Sequence, residues 1–326
     1  MMSDNVIFKK LIMENYDLEI NDLRLFEGQF CAMYSMKTNK GRYFVKTQPH
    51  EVKGMKNEGY ITDYLYNNGI SVPRIFKTKS GMYHVETEDF QFHIQEFIDG
   101  EILKENTAPE WFLKKSADML GKIHSVLKNY DGELLPIIGN HFLDKSAINY
   151  FKNHYNERLN EAVNQKNNRL IPLLEERVRN LERVSAFDID INKLTCSNSH
   201  ADFHIGQIIA DGENITVVDW TSAGITPICF EVIRSYVYAA PECRNGEINS
   251  DGLKRYINYY LKNFALNDYD IKMMPYVFYF QQMIWNYSPP YDDIPEAGKD
   301  RCKLIQNFTK WLYENVDDLS RKLGGM

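Results

Sequence analysis

Short apolar runs separated by turn residues dominate the first part of the chain, a pattern typical of β-strands. Leu23 and Leu25 alternate with the polar Arg24, and turn residues at 39–41 precede another apolar run. The pattern predicts strands at 22–25, 30–36 and 42–47, a helix at 52–67, and strands at 82–86 and 92–97. We expect these segments to form a small antiparallel sheet accompanied by one helix.

Helical spacing replaces this alternation after residue 100. Apolar residues recur every three or four positions, which predicts helices at 111–127, 148–159, 170–184, 253–264, 275–285 and 304–323. One hairpin interrupts them: apolar runs at 208–210 and 215–218 flank the turn residues Asp211 and Gly212. The larger part of the chain is therefore expected to be mainly helical.

The composition is that of an ordinary globular protein, and it argues against several functions. Of 326 residues, 44% are hydrophobic, and the net charge of −7 argues against nucleic-acid binding, which needs a basic surface. The longest apolar run, 273–280, is too short to cross a membrane, and Lys9 and Lys10 break the N-terminal apolar stretch that a secretion signal would need. Five scattered cysteines favour reduced thiols. We expect a cytoplasmic monomer or homodimer.

Polar residues at the open end of the hairpin form the most informative segment of the chain. Asp202 and Gln207 precede the first hairpin strand and Asp219 follows the second, so the turn should bring the three side chains together. An acid can orient or deprotonate a hydroxyl group, while an amide oxygen and a second carboxylate bind a hard cation, as metal-assisted phosphoryl transfer requires. A competing hypothesis is a zinc hydrolase site formed by His200, Asp202 and His204.

This segment resembles the catalytic and metal-binding loops of the aminoglycoside phosphotransferase and choline kinase family. The residues that match the family pattern are His200, Asp202, His204, Asp219 and Trp220. Gln207 departs from the pattern, because Asn is usual there; Gln keeps the carbonyl oxygen but adds a methylene. The resemblance implies a bilobal α+β fold similar to protein kinases, with a nucleotide-binding lobe at 1–97 and a helical lobe at 98–326 that carries the catalytic loop and the substrate site.

The same resemblance implies that the protein uses ATP or GTP with Mg²⁺ to phosphorylate a hydroxyl group of a small molecule. Asp202 would act on the acceptor hydroxyl, and Gln207 and Asp219 would hold Mg²⁺ against the phosphates. His200, His204 and Glu231 would hold the catalytic loop in place without contacting the substrate. His124, on a predicted helix, is expected to be a packed residue without such a role.

Residues of the first lobe would then hold the nucleotide. Lys46, on the third predicted strand, stands where kinases keep the lysine that contacts the α- and β-phosphates. Glu58, on the following helix, is the expected ion-pair partner of Lys46, with Glu51 and Asp63 as weaker alternatives.

The segment 95–100 would form the hinge between the lobes. The resemblance implies that the carbonyl of Glu96 and the amide of Ile98 bind adenine there. Gly28 is the one glycine in the loop expected to cover the phosphates.

An aromatic and acidic cluster near the C-terminus is the candidate acceptor site. Its residues are Trp285, Tyr287, Tyr291, Asp292 and Asp293, around a Pro-Pro pair. Aromatic faces and carboxylates bind ammonium groups, so an aminoglycoside-, choline- or sugar-like acceptor fits, although a packed surface turn has the same composition. The main alternative for the whole chain is a weak or inactive kinase-fold protein, with a nucleotide-binding or spore-coat-type structural role, in which Gln207 reduces metal binding.

Overall fold

A five-stranded antiparallel sheet forms the N-terminal part of the fold. The computed structural model describes residues 2–26, 32–132, 143–284 and 296–326. The strands are β1 Ile20–Phe26, β2 Met33–Thr38, β3 Gly41–Gln48, β4 Val85–Glu86 and β5 Gln91–Glu96, and helix α2 Met55–Asn67 follows β3. They lie in the order β1-β2-β3-β5-β4, each pair antiparallel. The prediction of a small antiparallel sheet is confirmed.

A helix that the sequence pattern did not reveal, α1 Met2–Asn15, precedes the sheet. The expectation of one helix in this part of the chain is therefore wrong. Phe8 and Ile12 of α1 are buried with Val45, Phe92 and Ile94 of the sheet, and the rings of Phe8 and Phe92 lie 5.3 Å apart. The i, i+4 spacing of Phe8 and Ile12 was the available signal. Covering one face of the sheet requires such a helix, because a sheet exposed on both sides buries too little apolar surface.

Helices form most of the remaining chain. They are α3 Glu110–Leu127, α4 Lys145–Asn164, α5 Ile171–Ser185, α6 Ile228–Ala239, α7 Ser250–Tyr260, α8 Asp268–Ile284 and α9 Glu296–Leu323. The predicted start of one helix at Pro275 is wrong, because α8 begins at Asp268 and contains the proline. Asp270 accepts hydrogen bonds from the backbone and hydroxyl of Thr195 at 2.7 and 2.6 Å, which anchors the first turn of α8. Among the described residues, none of the helices has the length and apolar character needed to cross a membrane.

The hairpin is bonded directly to the chain that leaves the sheet. Strand β6 Glu101–Ile102 pairs with β8 Ile208–Asp211, which pairs with β9 Asn214–Val217. Strands β7 Cys196–Ser199 and β10 Gly224–Pro227, which precede and follow the hairpin, form a separate antiparallel pair. Gly100, at φ 139°, permits this approach, since a Cβ there would stand 2.5 Å from the Ala210 carbonyl oxygen. A second contact joins the two parts, because Ile61 and Leu65 of α2 belong to the core of the helical part. The predicted boundary between 97 and 98 falls between β5 and β6 and stays a prediction.

Candidate active site

The buried Lys46 side chain joins the sheet, helix α2 and the hairpin. Its Nζ lies 3.1 and 3.2 Å from the two carboxylate oxygens of Glu58 and 2.6 Å from Oδ1 of Asp219, although Asp219 is 173 residues away in the chain. Burial alone would lower the pKa of Lys46, but the two carboxylates outweigh burial and raise it. Lys46 therefore stays charged in a region where an unpaired cation would be very costly. Neither Glu51 nor Asp63 takes the place of Glu58 in this contact.

A close backbone contact brings α2 to the segment that follows the hairpin. A Cβ atom on Gly54, at the start of α2, would stand 1.7 Å from the carbonyl oxygen of Thr221. One turn later in α2, Glu58 accepts a hydrogen bond of 2.8 Å from the backbone amide of Trp220. Glu58 is therefore held from two directions, by Lys46 and by the backbone next to Asp219.

Asp219 adopts a left-handed backbone conformation, with φ 63° and ψ 72°. Its Oδ1 accepts a hydrogen bond from Thr221 Oγ1 at 2.6 Å in addition to the Lys46 contact. Burial disfavours the charged form of Asp219, but the Lys46 ammonium outweighs burial and holds the pKa of the carboxyl well below its ordinary value. The strained backbone is consistent with a side chain held at a set position, as at many functional sites.

Asp202 lies on a loop that the neighbouring histidine fixes. His200 Nε2 donates to the Val218 carbonyl oxygen at 3.0 Å, so the proton is on Nε2 and Nδ1 accepts from the Asp202 amide at 3.3 Å. Ala201, between the two, has φ 63°, a left-handed conformation that is unusual for a residue with a side chain. His200 thus links the catalytic-loop candidate to the segment that ends in Asp219.

Glu231 and His124 support the same loop from the core. Glu231 is fully buried; it accepts from the Phe203 amide at 3.4 Å through Oε1 and contacts His124 Nε2 at 2.8 Å through Oε2. His124 Nδ1 lies 2.8 Å from the Tyr260 hydroxyl. His124 is therefore more than the packed helix residue we expected, because it holds the carboxylate that holds the loop.

The structure adds an ion pair that the sequence did not predict, between Asp202 and Arg234. Arg234, on α6, places Nη2 2.5 Å from Oδ1 of Asp202. Burial would raise the pKa of Asp202, but the Arg234 cation, together with the neighbouring histidines and the Gln207 hydrogen bond, outweighs burial and lowers it. His204 Nε2 lies 3.7 Å from Oδ2 of Asp202. Burial, together with the positive charge of Arg234, lowers the pKa of His204 to about 3. His204 is therefore neutral near pH 7.

Gln207 and Asp219 present oxygen atoms that fit a magnesium ion. Gln207 Nε2 donates to Asp202 Oδ2 at 3.0 Å, which leaves its Oε1 free to bind a cation. Within the described part of the chain, neither Gln207 Oε1 nor Asp219 Oδ2 accepts a hydrogen bond. Mg²⁺ binds through one or two protein oxygens plus phosphates and water, so this small donor set is sufficient. The longer Gln side chain is anchored to Asp202, which fixes where its oxygen lies.

The hinge positions are compatible with adenine binding. The Ile98 amide donates no hydrogen bond to any other described residue, and Glu96 ends strand β5. Arg42 braces the segment, because its guanidinium lies 3.9 Å from the centre of the Phe97 ring and 2.7 Å from Asp99 Oδ1.

Some predicted site residues lie outside the described residues. They are Gly28, Trp285, Tyr287, Tyr291, Asp292 and Asp293. The zinc hypothesis fails on geometry: no group of three His, Cys, Asp or Glu within the described ranges could hold a metal ion. His200 uses both ring nitrogens in backbone contacts, and His204 Nδ1 accepts from the Gly206 amide at 3.0 Å.

Comparison with known proteins identifies the family and the fold. The family model described as "APH: Phosphotransferase enzyme family" matches residues 22–262. No curated protein sequence matches the chain significantly.

Solved structures of similar fold cover nearly the whole chain. An aminoglycoside phosphotransferase from Alicyclobacillus acidocaldarius is 13% identical with a TM-score of 0.69, over 97% of this chain and 96% of that one. Amicoumacin kinase hAmiN, in complex with AMP-PNP and Ca²⁺, is 14% identical with a TM-score of 0.63, over 96% and 93% of the chains. A microcompartment-associated aminopropanol kinase is 12% identical with a TM-score of 0.63, over 97% and 98%. The kinase-like α+β fold is thus confirmed, and the chain belongs to the APH phosphotransferase enzyme family.

Proposed function

We propose that this protein transfers the γ-phosphoryl group of ATP, or of GTP, to a hydroxyl group of a small molecule in the presence of Mg²⁺. The observation that carries the proposal is the meeting of Lys46, Glu58 and Asp219, with Asp202 bonded to Gln207 beside them. A cation paired with two buried carboxylates is costly to assemble, and a phosphate-binding site is a reason to keep it.

Each residue has a physical task in this proposal. Lys46 neutralises phosphate charge, and Glu58 holds Lys46 extended. Mg²⁺, bound through Gln207 and Asp219, would neutralise charge on the phosphates. The lowered pKa of Asp202 makes its carboxylate a weak base, so orienting the acceptor hydroxyl is its main contribution. Catalysis then rests on placement and on preorganised charges.

A protein that binds nucleotide with little activity is the second candidate. Two observations favour it: Gln207 in place of the usual Asn, and the Arg234 guanidinium on the Asp202 oxygen that would face an acceptor hydroxyl. The four described cysteines are free thiols, in line with the proposed cytoplasmic location.

The test is nucleotide binding followed by product formation. Calorimetric titration of the purified protein with AMP-PNP should give Mg²⁺-dependent binding, which Lys46→Met should weaken at least tenfold. Incubation with ATP, Mg²⁺ and panels of hydroxyl compounds should give a phosphorylated product with the wild type, and at least about 100-fold less with Asp202→Asn. Binding without any product would favour the second candidate, and absence of Mg²⁺-dependent binding would contradict both.

A further inference from the structure

Arg234 contacts the Asp202 carboxylate oxygen that Gln207 does not contact. Its guanidinium contacts Oδ1 of Asp202, whereas Gln207, the metal-side residue, contacts Oδ2. The guanidinium also lies 5.8 and 6.0 Å from the ring centres of Phe230 and Tyr238 on the same helix. Two rings and a carboxylate thus fix the guanidinium beside the oxygen that would orient the acceptor hydroxyl.

Most of the hydrogen-bonding capacity of Arg234 is unused by the described residues. A guanidinium carries five N–H donors, and within the described residues the Asp202 contact is the one polar contact of Arg234. The Arg234 side chain has no buried nitrogen that lacks a hydrogen-bond partner, and 8% of the residue is exposed. The remaining N–H groups therefore reach accessible space next to Asp202.

A second arginine, Arg301, contacts the other side chain that lines this region, Tyr238; the surface formed by Arg234, Tyr238 and Arg301 is called the arginine wall below. The guanidinium of Arg301, on α9, is 4.4 Å from the centre of the Tyr238 ring and forms an ion pair of 2.6 Å with Glu105. The Tyr238 hydroxyl donates to Gln282 Oε1 at 3.1 Å, which fixes the ring between the two arginines. His204, on the other side of Asp202, is neutral near pH 7. Within the described residues, the Tyr238 ring thus lies between the guanidinium groups of Arg234 and Arg301, and Arg301 is itself paired with Glu105.

We propose that Arg234 is an acceptor-binding residue and that the acceptor carries a carboxylate or phosphate group close to the hydroxyl that is phosphorylated. This inference rests on the proposed function and names the substrate class. Guanidinium groups bind such anions through paired hydrogen bonds. One N–H group of Arg234 would stay on Asp202 while others bind the anion, which would place the anionic group about 5 Å from the hydroxyl oxygen, a separation of two to four covalent bonds.

The arrangement also distinguishes charge classes of acceptor. An ammonium group beside Arg234 would meet a guanidinium that Asp202 holds in place, with the Arg301 guanidinium on the same Tyr238 ring. Like-charge contacts in a partly buried site disfavour binding strongly. The arginine wall therefore favours the binding of hydroxy acids and hydroxyalkyl phosphates over the binding of amino alcohols.

The test uses acceptor probes that share one skeleton and differ in charge. The full-length protein, saturated with AMP-PNP and Mg²⁺, is titrated by calorimetry with 3-hydroxybutyrate, 3-hydroxybutyramide and 1-amino-2-propanol, and with glycerol 3-phosphate against glycerol. At least one anionic probe is expected to bind ten times more tightly than its neutral partner. Arg234→Gln should reduce that preference to less than threefold, and Arg234→Lys should leave an intermediate preference.

Matched variants separate charge from folding. Arg244→Gln removes an exposed arginine outside this wall and should leave the preference unchanged. Arg301→Gln should reduce the preference by a smaller factor than Arg234→Gln, and it supplies an independent test if Arg234→Gln fails to fold. AMP-PNP affinity and thermal midpoint of each variant report whether the nucleotide site and the fold persist.

Three results would overturn the inference: tighter binding of the amine than of the carboxylate, an anion preference that survives Arg234→Gln, or no binding of any anionic probe. Loss of the proposed function has a different signature, because the wild type would then fail to bind AMP-PNP with Mg²⁺ before any acceptor is added.

Discussion

Gly54 and Thr221 lie in direct backbone contact, at a distance that leaves no room for a side chain at position 54. This contact brings the first turn of α2 against the segment that follows Asp219. The ion pairs of Lys46 depend on it, because Glu58, one turn further along α2, has to reach both Lys46 and the Trp220 amide.

Substitution of Gly54 by Ala is expected to damage both stability and activity. The new Cβ would lie 1.7 Å from the Thr221 carbonyl oxygen, and backbone must move to relieve the clash. We expect the free energy of unfolding to fall by about 2 kcal/mol or more and phosphotransfer to fall at least tenfold. Chemical denaturation and nucleotide turnover measure the two effects. The control is Lys53→Ala at the exposed neighbouring position, and equal behaviour of the two variants would contradict the packing argument.

Asp219→Asn tests the central charge of the site. The substitution keeps the shape of the side chain but removes the negative charge that pairs with Lys46 and would bind Mg²⁺. We expect kcat to fall at least about 100-fold, while Mg²⁺-dependent AMP-PNP binding weakens. The matched control is Asp211→Asn, an exposed acid at the turn of the same hairpin, which should keep wild-type turnover. A wild-type kcat in Asp219→Asn would contradict the proposed role of Asp219 in binding Mg²⁺ and pairing with Lys46.

Glu231→Ala should act through the loop it supports. The variant leaves the Phe203 amide and the His124 ring without their buried partner, at a cost of about 3 kcal/mol in the free energy of unfolding. Because Asp202 adjoins Phe203, kcat should fall more than the affinity for AMP-PNP. Glu247→Ala, at an exposed position, is the control. Unchanged stability of Glu231→Ala, measured by denaturation, would show that the buried carboxylate has no supporting role.

The stability of the protein should fall in mild acid because of His204. The pKa of His204 is about 3 in the folded chain, below the ordinary value of 6.5, so between these pH values the unfolded chain binds a proton that the folded chain does not. The free energy of unfolding therefore falls as the pH drops from 6.5 towards 3. Between pH 7 and 4.5 the wild type should lose about 2–3 kcal/mol more than His204→Gln does. Equal losses in the two proteins would contradict the assignment.

Local patterns predicted most of the fold and which residues of the hairpin segment lie close together. Helical spacing located the ends of α3, α4 and α5 within a few residues. The hairpin pattern also predicted that Asp202, Gln207 and Asp219 lie in one region, as they do. Helices and hairpins are determined by interactions between residues that are close in the sequence, so a single sequence is enough to predict them.

Contacts between distant segments were missed for the opposite reason. Arg234 meets Asp202 across 32 positions, and His124 meets Glu231 across 107, so no spacing rule connects them. Helix α1 was missed because its charged and polar residues obscure the short apolar stripe that covers the sheet. Packing of the whole chain decides such contacts, and sequence periodicity carries little information about it.

The location of α2 limits how the molecule can open. Its Ile61 and Leu65 side chains are embedded with the helical part, while its Glu58 holds a lysine of the sheet. Rotation of the sheet away from the helices would therefore separate Lys46 from Glu58, since α2 is packed with the helical part. Under the proposed function, such a rotation would disrupt the nucleotide site and the ion pair together, so release of product and loss of the phosphate-binding charges would be a single event.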